Sequence, residues 1–447
     1  MLGPGCRRCQ QGEQIRPDNL ASASNTCRIR PDGREFVHCL SFHQQGVYIS
    51  VVHREIPAPR PGNRERVVEL LRTRGALTRA DLARLLNISR ATVSTVVSGL
   101  HSDGLLVESD RATGGVHQRR GRPGSLLTLN PAAGAVVGID FGHTHVRVIV
   151  ADLAHQVLTE QIQVLERDHD ARHALRTAVS LTEQALAAAE VDRAKVIGAG
   201  VGLPGPVNTL TGAVGSSSIG PSWVGLHPAD DLAALLGLPV IVENVGNLGA
   251  LAEVTWGAGR GAQVAVYIKL DAGVGAGFVL GGRLFRGACG TAAEFGHMTV
   301  DPSGPICRCG NRGCLETYVS VPALLDQLRP HDDAASAADV VKSATDGNRA
   351  CLRVLTDAGR RVGAAVAIIC NLLNPDRVII GGELSAAYDI LLPPLRAALE
   401  RDALPFAGSH VTVCRGQLGE RAVALGSVAT VLHMNKMPSR SKASSAR

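Results

Sequence analysis

Between Glu294 and Glu316 the chain reads Glu294-Phe295-Gly296-His297 and then Cys307-Arg308-Cys309-Gly310-Asn311-Arg312-Gly313-Cys314-Leu315-Glu316. One histidine and three cysteines fall within 18 residues, so a shared ligand would force this stretch into a tight, closed loop. Three thiolates and an imidazole complete a tetrahedral zinc shell, and the glycines between them let the backbone wrap around a metal. Free cysteines in a loop are one alternative. A disulfide with a spare thiol is another, but nothing marks the chain as secreted. Four ligands saturate a structural zinc. The flanking Glu294 and Glu316 are therefore left to accept hydrogen bonds from something else.

A length of 447 residues suggests two or three domains. Hydrophobic residues make up 45% and charged residues 19%, as in a soluble globular chain, and aromatics only 3%, so the cores are aliphatic. No apolar run reaches the ~18 residues that span a bilayer, which excludes a membrane partner of that kind. The opening MLGPGCRRCQQGEQ has no apolar stretch after its charges and does not read as a signal peptide. Eleven cysteines without such a signal point to a reducing, cytoplasmic setting. Charge is uneven. Residues 60–125 hold 12 arginines against 6 acids, whereas residues 126–447 are close to neutral, which suggests a nucleic-acid partner for the basic stretch.

Residues 1–59 mix Gly, Pro, Arg and Gln without a sustained period and read as a poorly ordered extension, with Cys6 and Cys9 as a bare pair. Residues 60–130 have a pattern. Val67, Val68, Leu70 and Leu71 give one helical face ending at Gly75. Thr78, with Asp81 three residues on, caps a second helix. Ser89 caps a third, from Arg90 to about Ser102, with Val93, Val96, Val97 and Leu100 inward. Leu105–Val107 and Ser125–Leu129 read as two strands flanking an arginine-rich loop. Three helices and a two-stranded wing make a winged helix-turn-helix. Its third helix offers Ser89, Arg90, Thr92, Ser94 and Thr95 to base edges of duplex DNA, and Arg119, Arg120 and Arg122 of the wing suit phosphates or a narrow minor groove. A protein-docking helical domain is the alternative for the same pattern.

From Ala135 strands and helices alternate. Strands are expected at 135–142, 145–150, 157–164, 196–201 and 239–243, with helices around 173–189 and from Asn247. The theme restarts with a strand at 264–270, a glycine-rich turn at 273–277 and a return strand, then a helix at 359–373 and a strand at 378–382. Two strand–turn–strand units, each followed by helices, suggest duplicated α/β halves around a cleft.

The motif Glu294-x-Gly-His297 followed by Cys307-x-Cys309-Gly-x2-Gly-Cys314-x-Glu316 resembles the signature of the ROK family of sugar kinases and sugar-responsive repressors. The order of the three helices and the wing is similar to the DNA-binding module of its regulators of the xylose-repressor and N-acetylglucosamine-repressor type. The resemblance covers about 135–433 and implies an α/β fold: a winged helix-turn-helix at 60–130, then a two-lobed actin-like, duplicated ribonuclease H-like sugar-kinase fold, with a basic tail at 434–447. It implies one zinc per chain on His297, Cys307, Cys309 and Cys314. It implies sugar contacts from Gly205, Asn244, Glu294, His297 through its second ring nitrogen, and Glu316. Ser217, Ser218 and Trp223 could add to them.

In the family's kinases an Asn-Asp pair meets the sugar and the aspartate takes a proton from the attacking hydroxyl. This chain reads Asn244-Val245, and valine accepts no proton. The family's phosphate turns are altered too. His143 and His145 stand in the first, and Asp271-Ala272 in the second, where an acid repels phosphate. The expectation is a regulator, read as a repressor of carbohydrate genes, that binds operator DNA as a homodimer and answers a sugar or sugar phosphate. It has no catalytic residue and no use for ATP. The rival readings are a sugar kinase fused to a DNA-binding domain, with Glu243 or water replacing the base, and a metal or redox sensor.

Overall fold

The computed structural model describes residues 37–43, 46–52, 62–109, 125–166, 169–208, 212–214 and 221–434. Val37–His43 (β1) and Gly46–Val52 (β2) pair antiparallel as a hairpin and belong to a unit of their own. This departs from the expectation of no regular structure in 1–59. The second strand, Gly-Val-Tyr-Ile-Ser-Val-Val, is rich in β-branched and aromatic residues, which favour the extended chain whatever the surrounding composition. Cys6, Cys9 and the basic tail beyond Met434 lie outside the described residues.

The second unit opens with Asn63–Arg74 (α1), Leu77–Thr78 (β3), Arg79–Leu86 (α2), Arg90–Ser102 (α3), Leu106–Ser109 (β4) and Leu126–Leu129 (β5). The expected capping is present. Thr78 Oγ1 accepts from the Asp81 amide at 3.1 Å, and Asp81 returns the bond to the Thr78 backbone. Asn87, left-handed at φ 53°, ends α2. Buried Val67, Val68, Leu71, Leu82, Val93, Val97, Leu100 and Leu127 form the core. The wing has three strands, in the order β3-β5-β4, where two were expected. Leu77–Thr78 must run extended to reach the cap of α2, and that brings it beside Leu126–Leu127.

The rest of the chain forms two lobes. Ala135–Phe141 (β6), His145–Asp152 (β7), Val157–Val164 (β8), Ala171–Ala188 (α4), Val196–Leu203 (β9), Pro228–Leu236 (α5), Val240–Asn244 (β10) and Val245–Trp256 (α6) come first. The second half holds Val264–Leu270 (β11), Val274–Leu280 (β12), Arg283–Phe285 (β13), Glu316–Val319 (α7), Val321–Leu328 (α8), Ala337–Thr345 (α9), Arg349–Leu373 (α10), Arg377–Gly381 (β14), Tyr388–Asp402 (α11), Pro405–Ser409 (α12), Thr412–Arg415 (β15) and Ala422–Met434 (α13). The sheets run β10-β9-β6-β7-β8 and β13-β12-β11-β14-β15. Each is an antiparallel three-strand meander extended by two parallel strands in the same order, so the halves are duplicates in topology.

Three boundaries differ from the sequence expectation. The helix α6 starts at Val245 because Asn244 caps it, its Oδ1 accepting from the Gly246 amide at 2.7 Å. Helix α10 starts at Arg349, capped by Asn348. The glycine-rich stretch 273–277 is mostly strand. Its turn closes with the Asp271 amide donating to the Gly273 carbonyl at 3.1 Å, and Val274 already pairs with Leu270. Gly277 serves contact rather than turning, since a Cβ there would fall 2.3 Å from the Gly246 carbonyl oxygen.

Candidate functional site: a cleft closed at one end by a cysteine-histidine loop

The lobes enclose a cleft of about 310 Å³. All five expected sugar contacts line it: Gly205, Asn244, Glu294, His297 and Glu316. They arrive from different elements, the end of β9, the start of α6, a 3₁₀ turn and the start of α7, so only the tertiary fold assembles them.

The cysteine-histidine loop shapes one end. The ligand atoms of His297, Cys307, Cys309 and Cys314 all lie within 4.8 Å of one another. Cys309 and Cys314 sulfurs are 3.6 Å apart, and the Cys307 sulfur is 3.6 Å from His297 Nδ1. A tetrahedron with metal–sulfur bonds of ~2.3 Å has edges of about 3.7 Å, close to the two 3.6 Å separations, so the donor set suits a zinc-sized ion after small side-chain adjustments. Cys307, Cys309 and Cys314 are free thiols here, not paired in a disulfide. With Nδ1 turned to the cysteines, Nε2 is the ring nitrogen left for the cleft. Gly313 is required in this loop: its φ is +63°, and a Cβ would sit 1.6 Å from the Asp301 carbonyl oxygen.

The two glutamates differ. Glu316 is buried, and it accepts from the Val274 amide at 2.9 Å and from Arg308 Nε at 2.8 Å. It ties the cysteine loop to the second-lobe sheet while keeping lone pairs for a ligand. Glu294 has burial and the neighbouring Glu316 charge against it, which push its carboxyl up to about 7. Asn244 is more committed than the sequence suggests. Besides capping α6, its Nδ2 donates to the Gly205 carbonyl at 2.7 Å, which fixes that loop beside the cleft. One amide hydrogen remains for a ligand.

The residues expected at the base position and in the phosphate turns differ in chemistry. Val245 lines the cleft at the first position of α6. The imidazole of His145 folds over Gly142, where a Cβ would meet it at 2.3 Å, and its Nε2 lies 3.4 Å from Asp140 Oδ2. Asp271 is bound by Lys269 and accepts from the Ala272 amide at 2.6 Å. Burial works against both charges, but their attraction prevails, holding Asp271 below and Lys269 above their usual ranges. Glu243, the acid that the kinase reading put forward as a substitute base, is buried and ion-paired with Arg286. Its Oε1 accepts from Asn247 Nδ2 at 2.9 Å and from the Asn244 amide at 3.0 Å. It is not among the residues lining the cleft.

Trp223 packs edge-on against Phe141, 5.2 Å between centroids, as part of the first-lobe core. Ser217 and Ser218 lie outside the described residues, as do Arg119, Arg120 and Arg122 of the wing. On α3, Arg90, Ser94 and Thr95 are exposed. Ser89 Oγ accepts from the Thr92 amide at 3.0 Å and lies 2.8 Å from the Thr92 hydroxyl, while the Thr95 hydroxyl donates to the Ala91 carbonyl at 3.1 Å. Arg90 and Ser94 are therefore the side chains of this face without an intrahelical bond among those described. No helix of the described residues is long and apolar enough to cross a membrane.

Comparison with known proteins agrees with this geometry. An HTH-domain family pattern matches residues 63–116 and the ROK family pattern matches 136–434. A putative xylose repressor of a Caldicellulosiruptor species is 30% identical over 80% of this chain and 92% of its own. A glucokinase of Halalkalibacterium halodurans is 32% identical but covers 65% of this chain and 92% of itself. A crystal structure of a ROK family transcriptional regulator, a homologue of the Escherichia coli Mlc protein, superposes with TM-score 0.69 at 28% identity, covering 83% of this chain and 96% of that one. With its family pattern spanning most of the chain and a helix-turn-helix domain ahead of it, the protein belongs to the ROK family.

Proposed function

We propose that this protein is a sugar-responsive transcriptional regulator whose effector domain binds its ligand without phosphorylating it. The observation that carries the reading is the contrast inside the cleft. Asn244, Glu294, His297 and Glu316 converge on one space beside a zinc-sized donor set, while the position expected of a catalytic base is Val245. Polyols are held by paired carboxylates and a histidine nitrogen through charge-assisted hydrogen bonds. A chain without a base converts that binding energy into closure rather than product. Zinc held by His297, Cys307, Cys309 and Cys314 would act structurally, fixing the loop from which Glu294, His297 and Glu316 emerge.

DNA is read by α3 through Arg90 and its polar neighbours, with the wing arginines on the backbone. A homodimer fits twofold half-sites about one helical turn apart. Closure between the lobes re-spaces the two DNA-binding modules. A complete switch needs a preference of about 10⁴-fold, roughly 5.5 kcal/mol, for one state over the other.

Xylose and glucose come first in a sugar screen, because xylose repressors and glucokinases are among the relatives. The test is operator affinity at fixed salt with each sugar, run beside an ATP-coupled phosphorylation assay. The reading expects a sugar that changes operator affinity and is recovered unphosphorylated. ATP-dependent product at an enzymic rate would establish the kinase reading instead. The engagement of Glu243 with Arg286 and Asn247 speaks against that outcome.

A further inference from the structure

Helix α13 runs from the cleft to the DNA-binding module, and α6 from the cleft to the β7–β8 turn beside that module. Asn244 and Val245 at the start of α6, and Glu420 and Val423 at the start of α13, line the cleft. The two helices touch backbone to backbone: a Cβ on Gly426 would fall 2.0 Å from the Leu248 carbonyl oxygen. They are anchored to opposite lobes. Helix α13 lies on the first-lobe sheet, with Gly138 against the Ala424 carbonyl and Gly200 against the Ser427 carbonyl. Helix α6 leaves the first lobe but lies on the second-lobe sheet, with Gly246 against Ala276 and Gly249 against the Tyr267 ring. A change in the opening between the lobes therefore shifts α6 against α13, and their far ends shift with them.

The far end of α13 meets α1 directly, and that of α6 meets it through the β7–β8 turn. Arg72 Nη1 donates to the Leu432 carbonyl of α13 at 2.9 Å, and its Nε donates to the Leu153 carbonyl of the β7–β8 turn at 3.3 Å. Only 5% of its side chain is exposed. Glu69, 3.7 Å from Arg72, also lies 3.5 Å from His433 Nε2. At the end of α6, Trp256 Nε1 donates to His155 Nδ1 at 3.2 Å, and His155 sits two residues beyond Leu153 in the same turn. Around this polar group, Val67, Val68 and Leu71 of α1 share one apolar cluster with Ile149, Leu153, Leu425, Val428 and Leu432. A guanidinium capping the last carbonyls of a helix is favoured by the helix dipole, and its fork fixes direction as well as distance.

We propose that Arg72 is the positioning residue through which the DNA-binding module senses the state of the cleft, by clasping the end of α13 and the turn that Trp256 of α6 steadies. It touches neither the cleft nor the DNA-facing side of α3. The proposal builds on the regulator reading above, yet coupling is reciprocal, so it is measurable from the DNA side without any sugar.

The experiment uses the full chain and a duplex selected in vitro with the wild-type protein. Hydrogen exchange is followed at 244–248 and 419–423 with and without duplex. Duplex affinity is measured with and without D-xylose and D-glucose. In the wild type, duplex binding changes exchange at both cleft segments, and the active sugar changes duplex affinity by about tenfold or more. In Arg72→Gln, both effects collapse, the second to below about twofold, while binding of duplex alone and thermal stabilisation by sugar persist. Arg72→Lys, which keeps the charge but loses the fork, is intermediate. Should Arg72→Gln not fold, Trp256→Phe, which removes the indole N–H together with part of the ring, is expected to weaken the coupling in its place. Wild-type coupling in Arg72→Gln, or in Trp256→Phe if that is the variant that folds, overturns the proposal. So does a wild type whose cleft exchange ignores duplex. A wild type in which duplex alters the cleft but no sugar alters duplex affinity removes the sugar reading and leaves the role of Arg72 standing.

Discussion

Two groups of residues line one cleft and differ in what their side chains permit. At the cysteine end, Glu316, Glu294 and His297 keep hydrogen-bonding capacity facing the space between the lobes. In the two glycine turns the backbone persists, but the imidazole of His145 covers Gly142, and Lys269 occupies Asp271. The difference teaches that glycine turns can serve the geometry of a sheet independently of the side chains set around them. On the reading proposed above, binding and chemistry are separable within one cleft.

The comparison can be broken most severely at the cysteine end. Cys309→Ser should abolish stoichiometric zinc, because three ligands no longer close the shell. The loss of order at Glu294 and Glu316 should remove sugar-induced thermal stabilisation with it. Elemental analysis beside a thermal-shift titration checks both, and metal-free wild type with normal sugar binding contradicts the assignment. Glu316→Ala should weaken sugar binding by about 1.5–3 kcal/mol, the range for hydrogen bonds to a charged group, and leave operator affinity without sugar unchanged. Calorimetry and gel shift read the two parts. Arg90→Ala should cost about 1–3 kcal/mol of site-specific operator binding while sparing the sugar. Undiminished affinity at fixed salt would reassign the recognition surface. The smallest effect sharpens the contrast most: Val245→Asp should yield no phosphorylated sugar, since the altered phosphate turns remain. Product from this variant would show that the altered phosphate turns still receive a nucleotide.

What the sequence made legible was local. The zinc-sized site was readable because its four donors lie within 18 residues, so spacing alone encodes the shell. The capping residues Thr78 and Ser89 were readable because a cap acts three residues away. What depended on distant partners was not. The Glu243–Arg286 pair joins residues 43 apart, and nothing in either neighbourhood announces the other. Helix α13 was missed because Ala422–Met434 is apolar almost throughout, and a helix buried on nearly every side has no polar stripe to give it a period. The hairpin at 37–52 was hidden by the polar, irregular composition around it.

The position of α13 also bears on how the molecule is made. Its residues Ala424 and Ser427 press on Gly138 and Gly200, so the sheet begun near residue 135 is covered by a helix made almost three hundred residues later. On the ribosome, the first lobe and the face of α1 that rests on it wait uncovered while the second lobe is synthesised. Such long loop closures slow folding and leave apolar surface open to chaperones in the interval.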